Sequence, residues 1–389
     1  MKNHYFLSQP HQPFFVLAFI NAIVSMLIFA LFSKGIIVSA IPIPNYHAYS
    51  LIYLLFTPAF LAFLFTTFPR FSGTLPIEKI VYMTILIPFA IGSIFFIFGG
   101  LFSSFLIATA MIILLIGHLL AINILRKIYN NSVMENNQDM FWILVSMGAG
   151  GVSHLFFVIG YLFDYIFIIN FAIEIAIYLY LFMVTFSVAQ RMVPFFSNAR
   201  GEQDKGLIKT IALLLAVHII LDTIVDGLSF VVDFVLVYLI GNELLNWELP
   251  FPNKNPLLWI LHLALFWIPV AFLFSGLSNL IALFSSVNFL FLDIHILVLG
   301  FVLTILIGFG TRVTLGHSGN PLIADKWTKI LFYWTQVVVI SRLITSIIFA
   351  FGWNFLFWFD ITVTVWLVLF GLWGFRFFGI LFLGKKLKS

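Results

Sequence analysis

The sequence predicts an all-α polytopic membrane protein with about twelve transmembrane helices. Three observations support this prediction: 62% of the 389 residues are hydrophobic, only 9% are charged, and the mean hydropathy is +1.14. Soluble domains carry about 25% charged residues, so a water-soluble fold has too little polar surface to cover this chain. The solvent for most of its surface must therefore be lipid.

The predicted helices follow from the lengths of the apolar runs, because a spanning helix needs about 20 apolar residues. The first run lacks the cleavage site of a signal peptide and is expected to remain as a span. The charge-free run 80–125 is too long for one helix, so Gly99 and Gly100 are expected to divide it. The twelve predicted helices cover 14–33, 46–68, two within 80–125, 140–162, 165–189, 206–225, 228–246, 256–280, 289–310, 327–350 and 355–383.

These helices leave no loop long enough for a soluble domain, so residues 1–389 are predicted to form a single transmembrane domain without a short internal repeat. Twelve crossings place almost all of the 19 lysines and arginines on one side, the exceptions being Lys34 and Arg342. Cytoplasmic loops carry such an excess. Both termini are therefore expected to be cytoplasmic.

The absence of cysteine excludes disulfides, thiolate metal ligands and covalent c-type haem attachment. Any haem must be held non-covalently, and any metal must be bound by His, Met, Tyr or carboxylate groups. The net charge of +4 is spread over loops and predicts no nucleic-acid partner. No Walker loop, His-Glu-x-x-His motif or nucleophile elbow occurs.

Ionisable side chains inside spans are costly and are functional candidates by default. His47 and His295 are predicted to share a depth in the outer third of the membrane, which suits two ligands of one haem. The alternative is that each makes a hydrogen bond at the interface. Arg342 is expected to meet a haem propionate or a carboxylate, and pairing with Glu174 or Asp360 for structure alone stays open.

Three further histidines, His154, His218 and His262, are candidates for a second metal. His218 and Asp222 are four residues apart and share a helix face. The carboxylate could orient the histidine as a metal ligand or pass protons. An ion pair at the helix end is the alternative.

The polar stretch "GFGTRVTLGHSGNPL" interrupts the apolar runs and is predicted to be a cytoplasmic loop. Gly316 and Gly319 can supply the turn. A simple turn does not require Arg312 and His317. Together with Arg191, these two residues are candidates to bind a cofactor group or to lock the cytoplasmic face. Their site would be separate from that of His47 and His295.

Four stretches carry a resemblance to a known family, with an order and spacing that agree over nearly the whole chain. They are "YHAYSLIYLLFTPAFLAFLFTTFPRFSG" (46–73), "AQRMVPFFSNARG" (189–201), "LLWILHLALFWIPVAFLFSG" (257–276) and "LDIHILVLGFVLTILIGFGTRVTLGHSGNPL" (292–322). Each resembles a segment of the NnrS family. The Thr-Arg-Val-Thr-Leu-Gly-His-Ser-Gly-x-Pro-Leu run is the most specific part.

The resemblance implies a multi-pass protein of the bacterial inner membrane that binds haem b, with copper as a second candidate cofactor. It implies action on nitric oxide, or protection against nitric oxide and nitrosative stress. The implied partners are nitric oxide, the lipid bilayer and an electron donor such as a quinol or a cytochrome. The matched polar positions are His47, Arg191, Pro194, His262, His295, Arg312, Gly316 and His317, with a less close match at His154.

The chain departs from the family pattern at four positions. Tyr49 and Ser50 stand where the family has a histidine and a glutamate. Asn320 replaces an arginine and Gln190 replaces a glycine. The first two departures leave open whether cofactor content and activity follow the family.

Two other functions also stay open. One is an electron-transfer enzyme like the haem-copper oxidases or nitric-oxide reductases, disfavoured because no His-His or His-x-His sequence occurs. The other is a proton-coupled transporter, in which Glu174 would carry the proton. Whether the protein is an enzyme stays open as well, and a haem-dependent oxidoreductase acting on nitric oxide is the candidate.

Overall fold

The computed structural model describes residues 5–225 and 227–387, which form helices and no strand. Among these residues, eleven helices are long and apolar enough to cross a membrane, and a twelfth has 17 residues. The prediction of an all-α polytopic membrane protein is therefore confirmed. The helices are α1 His11–Ser33, α2 Ile43–Ser72, α3 Lys79–Phe102, α4 Ser104–Asn130, α5 Gln138–Leu162, α6 Ile166–Ser197, α7 Leu207–Ile224, α8 Phe230–Asn246, α9 Pro256–Phe284, α10 Leu292–His317, α11 Lys326–Ala350 and α12 Phe355–Leu383.

The charge-free run 80–125 is divided into two helices as predicted, but at Ser103, three residues after Gly100, because α3 ends at Phe102 and α4 begins at Ser104. A Cβ atom on Gly99 would lie 2.8 Å from the backbone nitrogen of Ile107. Any side chain at this position would push the two helices apart. The glycine thus allows a helical hairpin with almost no connecting loop.

Several helix ends are fixed by local polar contacts. The side chain of Asn255 accepts a hydrogen bond from the Leu257 backbone nitrogen at 3.1 Å, and that of Asp325 accepts one from Thr328 at 2.9 Å. These side chains satisfy backbone donors that the first turn of a helix leaves unpaired. At the other end of α2, Gly73 takes a left-handed conformation with φ 68° and ends the helix.

The stretch predicted as a cytoplasmic loop after residue 310 is instead the last part of α10, and this prediction was wrong. Arg312 and Gly316 are helical, and His317 is the last helical residue. Val313 and Leu315 are buried, so their apolar side chains extend the packed helix. The turn comes only at Gly319, with φ 65°.

Contacts along the chain divide it into two compact units. The first contains the residues up to Ala176, Gly310–Leu322 and those from Phe370 onward, and the second contains Ile177–Phe309 and Ile323–Leu369. Helices α6, α10 and α12 contribute residues to both units. The single transmembrane domain stays a prediction.

Within the first unit, the start of α1 and the end of α12 lie at the same end. A Cβ atom on Gly384 would lie 2.9 Å from the Tyr5 ring, and Lys386 Nζ donates to the Gly319 carbonyl at 2.9 Å. An even number of crossings is expected for such an arrangement. The cytoplasmic placement of both termini stays a prediction.

Three helices contain a long π-helical segment, in which hydrogen bonds run from residue i to residue i+5. These segments are Ser50–Phe56 in α2, Ile175–Phe182 in α6 and Ile296–Leu303 in α10. Most π-helical turns in proteins are single bulges, and they occur often at functional sites. Segments of 7, 8 and 8 residues are therefore unusually long. Their surroundings are where we expect a functional site.

The π segments of α2 and α10 end in the same way. Thr57 and Thr304 each follow the segment directly and donate a side-chain hydrogen bond, at 2.9 Å, to the carbonyl five residues earlier. The hydroxyl thus supplements the backbone bonding at the point where the wide helix returns to α-helical geometry.

The shared ending belongs to a longer structural repeat that includes α2–α3 and α10–α11. Each copy has a histidine, a π segment, a threonine, a left-handed glycine and an acidic residue followed by lysine at the start of the next helix. The number of residues between successive features differs by no more than two between the two copies. The members are His47, Ser50–Phe56, Thr57, Gly73, Glu78 and Lys79 in one copy, and His295, Ile296–Leu303, Thr304, Gly319, Asp325 and Lys326 in the other.

We expect Gly99→Ala to destabilise the protein by about 1–3 kcal/mol, because the added methyl group overlaps the backbone of α4. Gly148→Ala is the matched control, since a Cβ atom there meets nothing within 4 Å. Thermal unfolding in detergent, followed by tryptophan fluorescence, measures the difference. Equal melting temperatures for the two variants would contradict the close approach.

Candidate functional site

A buried cluster in the first unit is centred on His154 of α5. His118 and His154 are both 0% exposed, and their Nδ1 atoms are 3.3 Å apart. The hydroxyl of Tyr49 lies 2.7 Å from His154 Nε2. Because a phenol is a good donor, Tyr49 donates to Nε2 and His154 then donates from Nδ1 to His118. Both ring nitrogens of His154 are therefore engaged in one hydrogen-bonded chain.

Tyr53 fixes the orientation of the His154 ring. The two rings are stacked with centroids 3.9 Å apart and planes 15° apart. Ser153 Oγ donates to the Ala172 carbonyl at 2.7 Å, so the Tyr53 hydroxyl, 2.6 Å from that Oγ, must be the donor to it. Tyr53 is part of the π segment of α2. This π segment thus supports the cluster at its centre.

The second unit contains a buried histidine–carboxylate pair. His218 Nδ1 lies 2.8 Å from Asp233 Oδ1, and the two side chains are 2% and 0% exposed. The expected partner of His218 was Asp222, four residues away on the same helix. Asp222 instead accepts a hydrogen bond from Ser229 at 2.9 Å.

Asp233 also accepts hydrogen bonds at its other oxygen. Ser275 Oγ lies 2.9 Å and Asn279 Nδ2 lies 3.1 Å from Asp233 Oδ2. The ring of Tyr178, in the π segment of α6, packs on His218 with centroids 4.4 Å apart. A π-segment tyrosine thus contacts a buried histidine in each unit.

His47 has different surroundings from those of the buried histidines. It lies in the first turns of α2, three residues before the π segment, and its ring is partly exposed. The ring packs on Phe29 with centroids 4.2 Å apart. An open apolar cavity of about 530 Å³ lies beside the start of this helix, lined by Phe32, Gly35 and residues 37–43.

His295 is also partly exposed and comes directly before the π segment of α10. Its Nδ1 lies 2.7 Å from the Phe291 carbonyl, a distance at which the nitrogen must donate. The lone pair of the neutral ring is then on Nε2. Arg342 lies alongside, with its guanidinium 3.3 Å from His295 Nδ1 and 2.7 Å from the Leu290 carbonyl. Arg342 also donates to Ser346 Oγ.

The remaining predicted site residues are distributed over other places. His262 of α9 is buried and its Nε2 lies 2.6 Å from Ser197 Oγ. His317 lies 2.6 Å from Gln9 Oε1 in the first unit. Arg191 and Arg312 are half-buried near the ends of α6 and α10.

The structure therefore brings together some predicted residues and separates others. His295 contacts Arg342, whereas His154, His218 and His262 each have their own set of partners. Within residues 5–225 and 227–387, no group of three or more histidine, aspartate or glutamate side chains is arranged to hold a metal ion. The second metal site stays a prediction.

Sequence reasoning missed the supporting residues of both buried clusters. Tyr53 and His118 reach His154 from other helices, and no spacing rule connects such residues. Asp233 reaches His218 from the next helix, where it lies in the first turn of α8 and is fully buried. An acidic residue at the start of an apolar helix was the available signal for the partner of His218.

We expect Asp233→Ala to cost about 3 kcal/mol or more, because it leaves a buried histidine without its carboxylate. It also removes the acceptor of Ser275 and Asn279. Asp222→Ala is the control, with an expected loss of about 1 kcal/mol for one hydrogen bond at a half-buried group. Unfolding in increasing denaturant measures both losses, and equal losses would contradict the central role of Asp233.

Comparison with known proteins gives a single family assignment. The model of the family described as NnrS protein matches residues 5–384. No curated protein matches the chain. Because the match includes almost the whole chain and the helices described above, the chain belongs to the NnrS family of membrane proteins related to nitric oxide.

Proposed function

We propose that the protein binds haem b non-covalently through His47 and His295 and acts on nitric oxide, or protects the cell against nitric oxide and nitrosative stress. Family membership supports the relation to nitric oxide. The choice of these two histidines rests on one structural observation. They occupy equivalent positions in the α2–α3 and α10–α11 repeat, each on the first turns of a span and just before a π segment.

The surroundings of His295 would suit a ligand of the haem iron. A ligating histidine commonly donates its other ring nitrogen to a backbone carbonyl, which fixes the tautomer and the orientation of the ring. The bond from Nδ1 to Phe291 does this and places the lone pair of the neutral ring on Nε2, the atom that would face the iron. The partial exposure of both His47 and His295 gives a ligand access that the buried histidines do not have.

The other residues of these sites would hold the periphery of the cofactor. The Phe29 ring and the apolar cavity beside α2 fit a hydrophobic macrocycle edge. Arg342 lies next to His295, where its guanidinium can bind a propionate carboxylate. Haem, when bound, supplies an iron that takes nitric oxide as a ligand.

The described donors fit haem better than copper. Haem needs one or two imidazoles from the protein, and His47 and His295 supply them. A copper site is commonly built from three or more nitrogen or sulfur ligands close together. Copper, with His154, His218 or His262 as ligands, remains a separate candidate within the proposal.

The location of the protein is part of the proposal. We place it in the bacterial inner membrane with both termini in the cytoplasm, on the basis of the basic residues and the number of helices. Arg191, Arg312 and His317 then lie toward the cytoplasmic face. A quinol in the bilayer or a cytochrome is the proposed electron donor.

We expect the purified protein to show a b-type haem band in its reduced-minus-oxidised spectrum and a shift of that band with nitric oxide. His47→Ala and His295→Ala should each remove most of the bound haem, because each removes an imidazole that would hold the iron. Haem is quantified by pyridine haemochrome together with metal analysis of the same sample. Copper at one atom per haem would support a second metal.

His317→Ala serves as the control, since this residue is at the other end of α10 and should keep the haem. All variants are compared by circular dichroism to confirm that they remain folded. A colourless wild-type protein, or full haem content in both the His47 and the His295 variant, would rule out the proposed ligands.

A further inference from the structure

Two histidines meet in the first unit where α1 begins and α10 ends, and Arg70, near the end of α2, acts on both electrostatically. His11 is the first residue of α1, Arg70 precedes the end of α2 by two residues, and His317 is the last residue of α10. The rings of His11 and His317 have centroids 5.0 Å apart. Arg70 lies within electrostatic range of both rings. None of the functions proposed above uses His11 or Arg70.

None of these three side chains forms an ion pair with a carboxylate in the part of the chain that the structure describes. Arg70 is exposed and forms no ion pair or hydrogen bond with the described residues. His317 has an uncharged partner, since its Nδ1 donates to the amide oxygen of Gln9. The Arg70 guanidinium therefore lacks an anionic partner among the described residues.

His11 adds an independent observation. Its side chain is 1% exposed, and its Nδ1 atom has no hydrogen-bond partner among the described residues. Buried polar atoms in proteins are almost always paired, so each exception calls for an explanation. An oxygen atom of a bound anion would satisfy an Nδ1–H donor here.

The place of the cluster indicates the kind of anion. All three residues lie at or near the ends of spanning helices, which is the level of the lipid headgroups. Basic pockets between helix ends are suited to phosphate headgroups. Arginine binds two phosphate oxygens through its planar guanidinium.

The loop that follows His317 is held in place by contacts with the C-terminal segment. Lys386 Nζ donates to the carbonyls of Ser318 and Gly319 at 2.5 and 2.9 Å. Asn320 Oδ1 accepts a hydrogen bond from the Leu387 backbone nitrogen at 2.8 Å. The C-terminal segment thus holds the loop in place and brings another positive charge near it.

We propose that Arg70, His11 and His317 form a binding site for a phosphate oxyanion. The oxyanion enters beside the exposed Arg70 and the half-buried His317, with His11 behind them. Its source is a phospholipid headgroup or free phosphate, which share this chemistry. The site is independent of the proposed haem ligands, so either proposal can fail without the other.

The test measures the thermal unfolding midpoint of the detergent-purified full chain during titration with three probes. These are phosphatidylglycerol, phosphatidylcholine with the same acyl chains, and inorganic phosphate against chloride at equal ionic strength. Native mass spectrometry counts bound lipid. Stabilisation by phosphatidylglycerol alone assigns the site to a lipid headgroup, and stabilisation by inorganic phosphate assigns it to the free ion.

The variant Arg70→Gln should weaken binding of the effective probe by about tenfold or more, because a bidentate charged contact is lost. Arg126→Gln is the matched control: it removes one positive charge from an exposed arginine near the end of α4 and should leave binding unchanged. His11→Asn should also weaken binding while the haem content stays at the wild-type level. Equal effects of phosphatidylcholine and phosphatidylglycerol, no effect of any probe, or equal losses in the two arginine variants would overturn the proposal.

Discussion

The whole structure depends on one constraint: a polar group inside a membrane must find its partner within the protein. With 9% charged residues, the chain places few such groups in its spans, and two buried clusters pair theirs in specific ways. Asp233 is surrounded by His218, Ser275 and Asn279, and His154 by Tyr49 and His118. Each cluster therefore links side chains from three helices.

The π segments support these two clusters and also border the candidate ligand residues. A π-helical turn shifts the angular positions of the side chains that follow it, relative to their positions in a regular α-helix. Tyr53 stacks on His154 from one π segment, and Tyr178 packs on His218 from another. The segments in α2 and α10 additionally follow the two partly exposed histidines. The same backbone feature thus supports a buried cluster and borders a candidate ligand site.

Much of the fold was accessible from the sequence, because length and hydropathy decide where a helix can span a membrane. The division of the run 80–125 into two helices was predicted correctly, since no single helix can use the whole run, but the break lies at Ser103 and not at Gly99 and Gly100. The end of α10 was placed too early. Polar residues such as Arg312 suggested a loop, but buried neighbours such as Leu315 kept the segment helical.

The candidate site was less accessible, because its contacts connect residues far apart in the chain. Charge and depth selected His47 and His295, but nothing in their spacing revealed that both precede a π segment. His218 was given the wrong carboxylate, since the rule for residues four apart considers one helix at a time. The internal repeat was missed for a related reason: its copies share backbone features at matching positions and few identical residues.

Tyr49 shows how these levels combine at a position where the chain departs from its family. A histidine is expected at this position, and its replacement could have removed a metal ligand. In the structure the hydroxyl of Tyr49 lies 2.7 Å from His154 Nε2, and the ring stacks on Phe96 with centroids 4.7 Å apart. Tyrosine therefore satisfies the buried imidazole by a hydrogen bond. If a histidine here serves as a ligand in other members, this chain keeps the contact to His154 and gives up one nitrogen donor, which leaves the partly exposed His47 as the ligand candidate on this helix.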